Sequence, residues 1–231
     1  MVPTDAERRR TRLSIVLAVI ACAAMLAVAP WRSAGAEASS QMHMSMSGGT
    51  VTAKDLRFRN AMRVLWEQHV AWTRLAIVSF NGGLPDLEAT EARLLRNQTD
   101  IGNAVKPFYG NAAGTQLTGL LRHHILIAVD ILVDAKAGHQ HQLNRDLGRW
   151  YANANQIAAF LHRANPHNWS LHAMRSMMHR HLKLTTDEAV AELSGKYGAS
   201  IAAYDRVERE ILGMADMLST GIIRQFPHRF S

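Results

Sequence analysis

The chain of 231 residues contains one cysteine, Cys22, and that residue lies inside an apolar N-terminal run. Everything after it is without disulfides and without thiolate metal ligands. There is no Cys-x-x-Cys-His, which excludes c-type haem attachment. There is also no Glu-x-x-His, the pattern that di-iron carboxylate bundles use. No segment sustains period-two alternation of apolar and polar residues, so strands are not expected. No basic run interleaved with aromatics follows the N-terminal segment, and a nucleic-acid partner is not expected.

What the chain does have begins with Arg8, Arg9, Arg10 and Arg12, then 17 uncharged apolar residues from Leu13 to Ala29, then Pro30 and Ala34-Gly35-Ala36. Basic flank, apolar run and small-residue site, in that order, predict a secretory signal over residues 1–36. Retention as an inner-membrane anchor is the alternative, with Trp31 and Arg32 at the interface. In either case the arginines stay inside and the remainder is exported, periplasmic or secreted, with the membrane touched only through this segment. Residues 1–36 hold five arginines and two acids, so the whole-chain charge of +7 falls to +4 for the exported part. Residues 37–52 read as a flexible linker rich in Met, His, Ser and Gly. Within it Met42, His43, Met44 and Met46 form a short tract of soft donors that suits Cu(I), although chance enrichment explains it as well.

Residues 53–231 are expected to form one all-α domain, an antiparallel multi-helix bundle related to the four-helix bundles. Helices are predicted over 53–80, 86–108, 113–137, 140–164, 168–183 and 186–223. The breaks fall at Asn81-Gly82-Gly83, Tyr109-Gly110-Asn111, Gly138, Asn165-Pro166 and Thr185 to Glu188. Thr185 and Glu188 stand three apart, as in a capping box opening the last helix. Residues 117–125 (LTGLLRHHI) and 174–182 (MRSMMHRHL) match at five apolar or histidine positions, which suggests a duplicated helical hairpin with His124 and His181 equivalent.

Three stripes of apolar residues each include one histidine. They run Phe58, Met62, Leu65, His69, Trp72, Ala76; then Leu117, Leu121, His124, Ala128, Ile131, Ala135; then Leu171, Met174, Met178, His181. Steps of four and three keep each set on one helix face, the face a bundle buries. A buried imidazole needs partners. Beside these histidines the last helix offers Tyr204, Asp205 and Glu208, with Glu208 on a predicted stripe through Val190, Leu193, Tyr197, Ile201, Tyr204 and Ile211. Asn97 and Asn153 fall in or beside the stripes of their helices. Arg74 is placed either at the surface or against a core acid or an anionic ligand.

The stretches LWEQHVAWTR, RLLRNQTDIG, PFYGN, WYANANQIAAFL, NPHNW, YDRVE, MADML and QFPHRF resemble a family of uncharacterised bacterial helical proteins, found mainly in soil bacteria and at times labelled glycosyltransferases. The likeness covers about residues 62–230 and implies no established activity. A nucleotide-sugar enzyme needs strands, and none are predicted here. The family pattern includes the positions matching His69, Trp72, Arg74, Asn97, Asp100, His124, Asn153, His181, Tyr204, Asp205 and Glu208. This chain departs from the family at Asn97-Gln98, where Asn-Pro is usual, and at Asn155-Gln156, where Asp-Glu is usual.

Three functions remain open on these residues. The first is a transition-metal centre (zinc, copper, iron or manganese) formed by His69, His124 and His181 with Asp205 or Glu208. The second is a metal-free interaction or scaffold module whose core histidines form a structural hydrogen-bond network. The third is a His/Asp acid–base enzyme acting on a small anionic substrate held by Arg74.

Overall fold

The computed structural model describes residues 51–231. The signal or anchor at 1–36, nearly all of the linker, and the Met42, His43, Met44 and Met46 tract lie outside the described residues. From Ala53 onward the chain is helical: α1 (Ala53–Gly82), α2 (Leu87–Ala137), α3 (Gln140–Ala164), α4 (Leu171–Leu193), α5 (Tyr197–Gln225) and a closing 3-10 turn at Pro227–Arg229. The described residues contain no strand. The all-α expectation holds.

α2 is one element only by continuity of its helical hydrogen bonding. Gly110, at φ 84 and ψ 167, has a backbone that L side chains rarely adopt, and here the chain reverses. Limbs 87–109 and 111–137 then run antiparallel: Arg122 donates to the Leu95 carbonyl at 3.2 Å and Thr118 to that of Gln98 at 3.5 Å. Near the reversal the backbones meet closely. A Cβ on Gly102 would stand 2.6 Å from the Gly114 carbonyl oxygen, and the converse distance is also 2.6 Å. By length and composition α2 is the one helix among the described residues able to cross a membrane.

Each helix packs on the next in chain order, and α5 returns to pack on α1, so the helices close into a ring. α1 also reaches α4 across the interior. The main core joins Met62 and Trp66 of α1, Ile101, Leu117 and Leu121 of α2, Ile157 of α3, Met178 and Leu182 of α4, and Val207, Ile211 and Leu218 of α5. At one end Phe58, Phe108, Phe226 and Phe230 cluster, with Phe108 stacked on Phe230 and the other contacts tilted or edge-on, at centroid distances of 5.1–5.6 Å, and hold the C-terminal turn.

Two expectations fail at the α4–α5 boundary. Thr185 to Glu188 do not cap a helix but lie within α4, where Thr185 and Glu188 are buried. The hydroxyl of Thr186 bonds back to the Leu182 carbonyl at 2.8 Å, a mid-helix arrangement. Gly195, at φ 71, makes the real break, as a left-handed residue does after a helix C-terminus. Moving the boundary also changes which face of α5 is buried. Tyr197 and Ile201 are 59% and 55% exposed, and the buried line runs Ser200, Ala203, Val207, Ile211, Met214, Leu218, Ile222.

The Gly102–Gly114 contact generates a test. A methyl group at Gly102 would meet the Thr118 hydroxyl at 2.0 Å as well as the Gly114 carbonyl. Gly102→Ala is expected to destabilise the domain by about 1–3 kcal/mol through overpacking. Urea unfolding measures this; a neutral or stabilising result would show that the limbs separate freely.

Candidate polar centre of the bundle

His69 comes from α1, His124 from the second limb of α2, and His181 from α4; all three are buried, at 3%, 2% and 4% exposure. Their rings converge. The centroids of His69 and His181 are 5.7 Å apart, and those of His124 and His181 are 6.3 Å apart. Trp66 meets His69 edge-on at 5.9 Å, and Trp150 lies 5.1 Å from His124.

One arrangement occurs three times. Nδ1 of His69 meets Gln98 Nε2 at 3.2 Å, Nδ1 of His124 meets Asn153 Oδ1 at 2.9 Å, and Nδ1 of His181 meets Glu210 Oε2 at 3.2 Å. In each case the partner lies 29 residues downstream, on the helix or limb that follows. The first two repeats share a further bond. Asn97 donates to the Leu65 carbonyl and Asn153 to the Leu120 carbonyl, each carbonyl one turn before the histidine. The repeating unit is thus a hairpin with histidine on its first helix and a polar partner on its second. There are three such hairpins, where the internal sequence match suggested two.

The partners determine where the ring protons sit. Asn153 donates its amide to Leu120, so its oxygen faces His124 and receives the Nδ1 proton. Glu210 can only accept as a carboxylate, so His181 also carries its proton on Nδ1. Gln98 Nε2 donates to the Leu94 carbonyl at 2.8 Å and to Asn97 Oδ1 at 3.2 Å, so the amide presents its nitrogen and not its oxygen to His69. A proton on Nδ1 of His69 would face that donor, so the ring proton lies on Nε2.

Burial holds the His69 imidazole well below its ordinary pKa, reinforced by His181 and His124. Burial likewise brings His124 down to about 3, with His181 adding to the effect and Asn153 opposing it. Both are therefore neutral near pH 7. Around the rings, three buried polar atoms have no hydrogen-bond partner: Trp66 Nε1, Gln98 Oε1 and Thr185 Oγ1. Trp66 and Gln98 touch His69, and Thr185 is one turn along α4 from His181. Unmet polar groups in a protein interior cost about 1–3 kcal/mol each, so they mark a place suited to a small polar guest.

A second polar group adjoins this one. Arg74 is neither at the surface nor free for an anion. Its guanidinium bonds Glu188 at 2.9 Å and the Ser200 hydroxyl at 2.9 Å, lies 3.9 Å from Glu192, and covers the Tyr204 ring at 5.4 Å. Burial raises the Glu188 carboxyl pKa, opposed by Arg74. The Tyr204 phenol is also raised, by burial and then by Glu208.

The predicted carboxylate partners require correction. Asp205 is exposed and Glu208 half-buried, while Glu210 holds the position beside His181. The reason is the phase of α5: Ala203, Val207, Glu210 and Met214 repeat at steps of four and three, and the mistaken capping box hid that line. Asp100 pairs with Arg93 at 3.8 Å, away from the centre. Asn97 and Asn153 do belong to it. Gln98 and Glu210 carry no local sequence signal for this role, and Glu188 carries a misleading one, the spacing of a capping box. Among the described residues, no group of three or more His, Cys, Asp and Glu side chains is arranged to hold a metal ion. The three histidines with Asp205 or Glu208 are therefore not a ready-made shell. No family model, curated protein or solved structure matches the chain.

The depressed imidazoles generate a pH prediction for metal-free protein. Below about pH 6.5 the unfolded chain takes up protons at His69 and His124 that the folded chain refuses. Stability is thus full above that pH and falls as pH drops toward 3, by up to about 1.4 kcal/mol per pH unit for each ring. Denaturant melts between pH 7 and 5 should show this slope, and His124→Asn should remove about one proton's share. A flat profile contradicts the assignment.

Proposed function

We propose that this domain binds a transition-metal ion at its polar centre and does so outside the cytoplasm, to which the N-terminal segment would export it. The observation that carries this reading is the fastening of two neighbouring imidazoles, His124 and His181, through Nδ1–H, which leaves a lone pair on Nε2 of each. Metal-binding histidines commonly donate their far ring N–H to an oxygen in this way. Two further facts support it. The depressed pKa values of His69 and His124 keep those rings in the neutral form that metals require. Trp66 and Gln98, each with an unmet polar atom, adjoin His69, and Thr185, with another, lies one turn from His181 along α4.

The ring spacing supports ligation by a pair more readily than by all three. With metal–nitrogen bonds near 2 Å, two imidazoles on a tetrahedral ion have centroids about 5 Å apart. The observed 5.7 and 6.3 Å are wider. Acid–base catalysis on an anionic substrate has little support, because Arg74 is already engaged by Glu188 and Ser200.

The metal-free network is the second reading, favoured by the lack of a three-residue metal shell among the described residues. On that reading the three Nδ1 ties set helix register, and the protein works through its surface as a scaffold or interaction module.

Protein purified without chelator from metal-replete cells is expected to carry close to one equivalent of a transition metal by elemental analysis. That ion, at a hundredfold over its Kd, should stabilise the fold by about 2.7 kcal/mol. Less than a tenth of an equivalent, with melts indifferent to added metal, rejects the metal reading. Loss of about 1–3 kcal/mol in His124→Leu, with no dependence on metal, then identifies the network.

A further inference from the structure

We propose that the outer face of the second limb of α2 docks a second copy of this chain, the two limbs packing antiparallel about a twofold axis at Leu126. This surface lies apart from the polar centre and does not depend on what that centre holds.

Gly119, Arg122, Leu126, Asp130 and Val133 are all exposed, Leu126 at 49% and Val133 at 46%. At about 100° per residue they fall within about 80° of one another around the helix, so they form one straight stripe. Thr115 and Ala137, also exposed, continue it at either end. Only 28% of the apolar stretch that would let α2 cross a membrane is buried, so much of it faces outward.

The stripe is complementary to itself. Reversed about Leu126, it sets Arg122 level with Asp130 of the other copy, and Gly119 level with Val133. An antiparallel pair therefore forms two Arg–Asp contacts, one on each side of a central leucine pair and about 6 Å from it along the axis. A parallel pair would set arginine against arginine and aspartate against aspartate, which is unfavourable. The other charged or titratable residues of the stretch meet no like charge: His123 lies level with Val129, Asp134 with Thr118 and Lys136 with Gln116.

Both charges keep capacity for a new partner. Arg122 donates to the Leu95 carbonyl, which uses one of its several N–H groups. Asp130 lies 3.6 Å from Arg149 of α3, and its side chain stays 53% exposed. The closer partner of Arg149 is Asp146 at 2.9 Å, which Arg145 also approaches at 3.3 Å.

Gly119 supplies room. Glycine is a poor helix residue, and no neighbour in the chain requires one here, since a Cβ would meet nothing within 4 Å. Opposite Val133 of a second copy, the missing side chain leaves space for a close approach. A lipid bilayer suits the stripe less well. Arg122 and Asp130 would then sit mid-way along a lipid-facing helix, where charge is costly. A seam of one helix from each copy is smaller than a standard interface of about 1,600 Å², so dissociation in the micromolar range is expected.

Cysteine pairing in the full chain, with Cys22→Ser to remove the native thiol, tests the register. Helices packed about 8–10 Å apart bring positions on a shared twofold axis within disulfide reach. With diamide as oxidant, Leu126→Cys at micromolar concentration should give a linked dimer. Val133→Cys alone should give at least tenfold less, because its two copies stand about 21 Å apart along the axis. Gly119→Cys mixed with Val133→Cys should link the two chains. In the Leu126→Cys background, Arg122→Asp and Asp130→Arg should each cut the linked yield at least fivefold, and both in one chain should restore it. Equal linking through Val133→Cys, or through Ile201→Cys on the exposed face of α5, overturns the proposal. So does a Leu126→Cys chain that melts like its parent yet does not link, or a charge swap that fails to restore linking. Absence of linking together with binding to phosphatidylcholine vesicles assigns the stripe to a membrane instead.

Discussion

The structure depends on holding three imidazoles in a protein interior with a polar partner for each. A ring in such a place needs a polar partner that holds it. Here the task falls to Gln98, Asn153 and Glu210, each 29 residues beyond its histidine. That constant interval is the length of one hairpin, measured from histidine to partner. Each tie therefore fixes the register of two antiparallel helices at the level of the centre. Slipping one helix by a turn would leave a donor or acceptor buried without its complement. Apolar packing tolerates such shifts far better than a polar tie does.

The helical character and most of the breaks were legible from punctuation by Gly, Pro and Asn and from the 3.6-residue rhythm of apolar positions. The stripes through His69, His124 and His181 indicated both burial and convergence. The acid partner was not found because Thr185 and Glu188 have the spacing of a capping box while serving another purpose. Thr185 is a core position of α4, and Glu188 is bound to Arg74 from α1. That pairing spans 114 residues, and no local pattern reveals it. A boundary at Thr185 shifts the expected phase of α5 and points to Glu208, whereas the helix that begins at Tyr197 turns Glu210 toward His181. Gln98 was overlooked for a different reason. It follows Asn97 directly, and only the fold shows that both amides turn inward.

The two polar groups of the interior have different characters. Arg74, Glu188, Ser200 and Glu192 form a charged cluster with strong mutual pairing, partly open to solvent through the arginine. The histidine centre is more deeply enclosed and retains unmatched polar atoms. A cluster of the first kind binds α1, α4 and α5 together. The second kind has donors and acceptors to spare for something small. Their separation within one domain explains why Arg74, so conspicuous in the sequence, is a poor guide to ligand chemistry here.

The closed ring has a consequence for the order in which the chain can fold. α1 and α5 are the first and last helices of the domain, yet they pack on each other. Arg63 on α1 reaches Asp216 across 153 residues, and Arg59 reaches Thr220 across 161. Closing loops of that size is entropically expensive, and contacts of such high sequence separation slow folding. The hairpins can assemble from local contacts. The apolar face of α1 bearing Met62, Trp66 and Ile77 gains its last neighbour only when the C-terminal helix arrives. Until then the nascent domain is an open arc with an apolar seam. The step most exposed to aggregation is the closure of that seam.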